Sequence, residues 1–254
     1  MGEFIIEERD GHVLTLTLNR PEVLNAMHDP AHAELDAAFE RFGADDDLWV
    51  AIVTGAGRAF CAGSDLRHKP GPRKPGQHIF VHTWRPWLTK PVIAAVNGLA
   101  YGGGWELALG CDIVVADPAA KFALSEPRVG LAALGGGAAR LPLRMPYHLA
   151  MELLLTGRAI DAATAHGHGV VNALSEPGEV LALARRYAEE ILLCAPRAVA
   201  MTKVIAAAAL EPAGHMAELG ELNAAKLKEL FRTEDSREGR AAFLEKRTPQ
   251  WRNR

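Results

Sequence analysis

The run WVAIVTG, residues 49–55, is short, continuous and apolar. A strand with one wet face alternates apolar and polar residues, so an unbroken run of this length fits a strand covered on both faces. PVIAAV (91–96), DIVVA (112–116) and the shorter KFAL (121–124) read as further strands. FIIEE and HVLTLTLN read as two strands joined at Asp10-Gly11, a hairpin turn signal. Asp29 followed by Pro30 fits an N-cap and first helical position, and AHAELDAAFERF carries apolar residues at helical spacing. A further helical stretch is expected through Trp84 and Trp87. From Pro146 onward the spacing predicts helices over 146–156, 161–167, 179–194, 196–210, 213–232 and 234–246, and only GVVNAL reads as extended. Strands alternate with helices first and helices dominate the end. The fold class is therefore α/β, with a core over residues 1–195 and a helical C-terminal region over 196–254. A chain of 254 residues, 49% hydrophobic, can bury one substantial core.

The formal net charge of −3 gives no basic excess for nucleic acid or a membrane surface. Cys61, Cys111 and Cys194 form no CxxC pair, so neither a zinc site nor a disulfide framework is expected, and a reducing cytoplasm is the simplest compartment. No apolar stretch has the length of a membrane span, and the acidic N-terminus is unlike a signal peptide. HKPGPRKPGQH, residues 68–78, reads as a surface loop.

The chemistry concentrates in NGLAYGGGWELALGCD, residues 97–112. Three glycines lead into an apolar helix that carries one carboxylate, Glu106. Glycine at a helix start leaves backbone N–H groups bare for a ligand oxygen. The plain structural alternative is a close helix–strand packing point, with Glu106 as a first-turn acid. A second turn, AFCAGSDL (59–66), offers another N–H at Ser64, and it is expected to lead from GAGRAF toward a helix. FALSEPRVG adds a carboxylate, Glu126, at a strand end. Two N–H-bearing turns and two carboxylates form a coherent set for acid–base chemistry beside a carbonyl. Rival signals are thinner. GAGRAF lacks the third glycine of a dinucleotide fingerprint, AGSD is not a GxSxG nucleophile elbow, and the two histidines of AHGHG read better as a helix end than as metal ligands.

Jointly, LNRPEVLNAM, VTGAGRAFCAGSDL, KPVIAAVNGLAYGGGWELALGCDIVVAD, FALSEPRVGL and LTGRAIDAATAHGHGVVNAL resemble the crotonase superfamily, whose founding activity is enoyl-CoA hydratase, over nearly the whole chain. The resemblance implies a ββα superhelix core. It implies an oxyanion hole for a thioester carbonyl, built from the N–H groups of Ser64 and Gly103. It carries the two hydratase glutamates onto Glu106 and Glu126. In that account one positions and deprotonates water, the other protonates the α-carbon, and the pair is treated as a coupled unit. Coenzyme A is expected near the CAGSDL turn, at Ala62, Asp65, Leu66 and Arg67, with Arg20 or Arg58 as further phosphate candidates. No metal and no cofactor beyond the coenzyme A of the acyl-CoA substrate is implied, and the assembly expected is a homotrimer or a dimer of trimers in the cytoplasm. The expected activity is hydration of a 2-enoyl-CoA. The alternatives are a Δ3,Δ2-enoyl-CoA isomerase using Glu126, or an acyl-CoA-binding protein without catalysis. The chain departs from many hydratases at Ala132 and Ala133, where an Ile-Pro pair is common, and at the bulky Trp105.

Overall fold

The computed structural model describes residues 2–68, 88–209, 232–245 and 247–254. The Trp84–Trp87 stretch, most of the 68–78 loop and all but the end of the 213–232 helix lie outside them.

Strands β1 (Ile5–Asp10) and β2 (Val13–Leu18) form the hairpin, with Asp10 opposite Val13 and Gly11 at φ 56° in the turn. Helix α1 (Asp29–Ala44) follows. Its cap is His28 rather than Asp29, one residue earlier than expected, which is within the usual fraying of helix ends. β3 (Val50–Gly55), β5 (Val92–Val96), β7 (Ile113–Ala116) and the two-residue β10 (Ala173–Leu174) join the hairpin in one sheet, ordered β1-β2-β3-β5-β7-β10. From β2 onward all its pairings are parallel. Along β3 the side chains alternate between two cores. Val50 and Ile52 pack with Ile93, Val115 and helix α6 (Val180–Leu192), whereas Ala51 and Val53 face the main core with Leu16, Phe39 and Phe60. The continuous apolar run is thus explained: both faces are covered, as a parallel sheet requires.

A second sheet is smaller. β4 (Ala59–Cys61), β6 (Leu99–Tyr101), β8 (Lys121–Ala123) and β9 (Ile160–Asp161) pair in that order. β4 forms within the turn expected to lead toward a helix, β6 lies between the Asn97-Gly98 turn and the glycine triplet, and β9 takes Asp161 from the start of the helix expected over 161–167. GAGRAF leads into β4 and then a turn, so the helix expected after it is absent among the described residues. That strand–turn–strand context also removes the dinucleotide reading. Short helices stand beside this sheet: α2 (Gly103–Leu109), α3 (Gly137–Arg140), α4 (Tyr147–Thr156) and α5 (Ala162–Gly167). α5 ends through His166, whose Nδ1 lies 3.0 Å from the Val171 carbonyl, so the AHGHG histidines serve a helix end. The C-terminal part supplies α7 (Pro196–Ala208) and α8 (Glu234–Glu245). Lys203 on α7 ties it to the core, donating to the Lys90 carbonyl and to Asp112 Oδ2, each at 2.8 Å. Among the described residues no single helix is long and apolar enough to cross a membrane.

Candidate active site

The three glycines of residues 102–104 have separate jobs. Gly102 sits at φ 52°, ψ −124°, a conformation closed to residues with a Cβ, and turns the chain from β6 into α2. Its N–H donates to the Ala123 carbonyl at 2.8 Å, fixing the turn to β8. A Cβ on Gly104 would stand 2.1 Å from the Cys61 carbonyl, so the helix start can approach β4 only as glycine. Gly103 lies between them as the first residue of α2, and its N–H has no hydrogen-bond partner among the described residues.

The second turn is brought against the first. A Cβ on Gly63 would meet the Tyr101 carbonyl at 2.8 Å and the Gly103 nitrogen at 3.1 Å. Ser64 is the next residue, and its N–H also has no partner among the described residues. The loop of residues 20–27 holds this turn in place. Ala62 N–H donates to the Leu24 carbonyl at 2.9 Å, Met27 N–H to Gly63 at 2.7 Å, and Asp65 N–H to Met27 at 2.8 Å. That loop is in turn locked by Asn25, which the sequence reading passed over. Asn25 is 1% exposed and sits at φ 56°. Its Oδ1 accepts from Arg20 N–H at 2.9 Å, while its Nδ2 donates to the carbonyls of Ala56 and Ala59 at 2.9 and 2.8 Å.

Both carboxylates converge on the glycine turn. Glu106, in the first turn of α2, is 1% exposed. Its Oε1 accepts the Gly137 N–H at 3.0 Å, and the Gly135 N–H is near enough to favour the charged form as well. Burial pushes its acid up to about 7, the nearby Glu126 adds to that push, and the two glycine N–H groups and Arg140 oppose it. Glu126 opens the short 3₁₀ turn Glu126–Val129 after β8. Its carboxyl stands over Gly102, with Oε1 3.4 Å from where a Cβ would be. Both its oxygens are buried and find no partner in another described residue. Burial raises its acid as well, with a small opposing pull from its own backbone N–H. An orphaned buried carboxyl is costly, which is the expected signature of a group kept for a ligand or a proton transfer.

The structure thus brings together Ser64, Gly103, Glu106 and Glu126. It does not leave every nominated residue available. Arg20 is engaged internally, donating to the Ala26 carbonyl and pairing with Asp65 at 3.2 Å, with both side chains largely buried. Asp65 is therefore a scaffold carboxylate. Burial opposes its charge, but the Arg67 N–H and Arg20 outweigh it and hold the group below the usual carboxylate range. Leu66 and the Arg67 side chain project outward at 67% and 82% exposure, and Arg58 is exposed. Trp105 is a core residue, 1% exposed and 5.6 Å from the Phe122 ring, so its bulk does not intrude on the glycine turn. No hydrogen bond joins Ser64 Oγ to a histidine among the described residues, and those residues contain no cluster of three potential metal ligands.

A glycine turn flanked by two buried carboxyls on an α/β fold is suited to acid–base chemistry. The family model described as enoyl-CoA hydratase/isomerase matches residues 8–254, and the chain belongs to that family, part of the crotonase superfamily. It is 40% identical to the (E)-benzylidenesuccinyl-CoA hydratase of Thauera aromatica, covering 96% of this chain and 97% of that one. It is 37% identical to enoyl-CoA hydratase EchA19 of Mycobacterium tuberculosis, covering 100% and 98%. The crystal structure of enoyl-CoA hydratase EchA1 from Mycobacterium marinum superposes with a TM-score of 0.93 at 40% identity, covering 99% of each chain.

Proposed function

We propose that the protein is an enoyl-CoA hydratase that adds water across the double bond of a 2-enoyl-CoA thioester. The observation that carries this reading is the pair of buried carboxyls, Glu106 and Glu126, at one glycine turn. Water adds its oxygen to C3 and a proton to C2, and negative charge gathers on the thioester oxygen meanwhile. The N–H groups of Ser64 and Gly103 are suited to receive that oxygen, each worth about 3 kcal/mol to the transition state. One carboxylate takes the proton from water as its oxygen bonds to C3. The other group, as the acid, gives a proton to C2. The net change is one water added, with no electrons gained or lost, so the step asks for no redox group or metal. Moving a double bond along the acyl chain needs only one carboxyl, and the second buried glutamate favours hydration over isomerisation.

The same reading places the coenzyme A over the 62–67 turn with Arg67 near a phosphate, since Arg67 is the exposed cation there. It sets the enzyme in cytoplasmic fatty-acid metabolism as a homotrimer or dimer of trimers, with the region from residue 196 onward contributing to assembly. Exposed Leu131, Leu134, Leu143 and Tyr147 suit a subunit contact.

The test follows crotonyl-CoA by loss of the enoyl-thioester absorbance and identifies the product by mass, with Glu106→Gln and Glu126→Gln alongside. The expected result is a water adduct from wild type and a loss of about 10²-fold or more in both variants. Double-bond migration without an adduct, lost only in Glu126→Gln, would replace hydratase with isomerase. Acyl-CoA binding without turnover of either kind would leave a binding protein.

A further inference from the structure

The turn that holds Glu106 is itself built from glycine. Gly135, Gly136 and Gly137 are consecutive and buried, and Gly136 has φ 110°. Such a run has no side chains of its own to fix it, and glycine has the widest backbone freedom. Yet its Gly137 N–H must aim at the Glu106 carboxyl, and its Gly135 N–H favours the same group's charged form. The residue that closes the run is Arg140, at the end of α3. Its own N–H donates to the Gly136 carbonyl at 2.8 Å. Its side chain reaches back so that Nη1 donates to the Gly135 carbonyl at 3.3 Å, in a part-buried position. The carbonyl it holds lies in the chain between the Gly135 N–H and the Gly137 N–H that donates to Glu106.

We propose that Arg140 is a positioning residue for Glu106: its guanidinium clamps the 135–137 turn so that the turn's N–H groups hold the Glu106 carboxyl in place at the reacting centre. The inference rests on the reading of Glu106 as a reacting group. The clamp acts in two ways. It fixes the donors, and it sets a positive charge near a carboxyl that burial and Glu126 both drive toward the neutral form. Among the described residues, the charged groups that act on Glu106 are Glu126, from the turn after β8, and Arg140, from α3. Removing Arg140 leaves the glycine N–H groups alone against burial and Glu126, so Glu106 then holds its proton to higher pH.

The experiment compares full-length wild type, Arg140→Gln and Arg140→Lys. One readout is independent of turnover: the infrared carboxyl band of Glu106, assigned as the band missing from Glu106→Gln and titrated in the free protein. Its midpoint is expected to rise in Arg140→Gln and to return toward wild type in Arg140→Lys. The second readout is the pH profile with crotonyl-CoA. For Arg140→Gln, kcat is expected to fall about tenfold or more while KM changes less than about twofold, and the acidic limb of kcat/KM moves to higher pH. Thermal melting accompanies both. Lower melting with an unshifted midpoint and profile would assign Arg140 to folding alone and overturn the proposal. If Arg140→Gln does not fold, Arg140→Met, which keeps much of the side-chain length but removes its charge and its donors, decides by the same two readouts. Should wild type fail to hydrate any enoyl-CoA, the hydratase reading falls, while the infrared midpoints still decide whether Arg140 governs Glu106.

Discussion

Gly137 donates its backbone N–H to Glu106 Oε1 at 3.0 Å, and that bond joins the second glycine turn of the chain to the helix that follows the first. It is one of few compensations for a carboxyl that is 1% exposed, and burial still raises its acid to about 7. The consequence for stability has a definite sign. Between the ordinary carboxylate value and about 7, the folded chain retains a proton here that the unfolded chain has released. Stability attributable to Glu106 therefore falls as pH rises through that window and stays low above it. Glu106→Gln removes the cost while keeping an acceptor for the Gly137 N–H. Relative to wild type, the variant should gain about 1–3 kcal/mol between about pH 5 and about pH 8. Calorimetric melting at both pH values checks this, and a difference that does not grow with pH would refute it.

The glycine turn yields an ordered mutational series. Gly102→Ala puts a Cβ on a left-handed backbone and 3.4 Å from Glu126 Oε1. The strain costs about 1–3 kcal/mol, and the crowding moves the carboxyl, so turnover should drop more than melting alone implies. Gly104→Ala meets the Cys61 backbone oxygen at 2.1 Å, where no flexible side chain can yield. It should be the more destabilising of the two, read by denaturant unfolding. A Gly104→Ala protein as stable as Gly102→Ala would mean that α2 can move away from β4.

The candidate site was legible in the sequence where local chemistry marked it. Glu106 and Glu126 stood out as carboxylates at glycine or strand ends, and both lie at one turn. The core strands were legible because both-face burial writes a continuous apolar run, as at Val50–Gly55. What escaped were features defined only by distant partners. β6 and β9 are two or three residues long and carry no period to read. Arg20 is a phosphate candidate in the sequence, and only the fold sets it against Asp65, 45 residues away. Arg140 and the 135–137 N–H groups act on a side chain 31 residues earlier, although the repeated glycine triplet was a usable signal.

Asn25 tests the scaffold beneath the Ser64 turn. Its side chain replaces three backbone partners in a loop that has no regular ladder of its own. Asn25→Ala strands the Ala56 carbonyl and the Arg20 N–H and leaves the Ala59 carbonyl to Asn97 Nδ2 at 3.2 Å, at a cost of about 2–3 kcal/mol. Asn25→Asp keeps the acceptor but sets a carboxylate against two carbonyls, so it should be at least as damaging above the carboxylate range. Because this loop supports Ala62, Gly63 and Asp65, acyl-CoA affinity should fall in parallel with stability. Thermal melting with and without crotonyl-CoA measures both, and unaltered affinity in a destabilised variant would separate the loop from the site.

Arg20 and Arg67 both contact Asp65, yet they should respond differently to truncation. The Arg20–Asp65 pair is 15% and 10% exposed at 3.2 Å, whereas Arg67 is 82% exposed and stands 3.9 Å from the same carboxylate. Breaking the inner pair with Arg20→Met leaves Asp65 poorly compensated, at a cost of about 3 kcal/mol. Arg67→Ala should change stability by less than about 0.5 kcal/mol. Its effect should appear instead in KM, about three- to tenfold higher for crotonyl-CoA, because a phosphate contact of about 1 kcal/mol is lost. Crotonyl-pantetheine has no nucleotide phosphates, so its KM should be unmoved. Equal KM changes with both thioesters would mean that Arg67 shapes the turn itself, and no change with either would remove it from the coenzyme site.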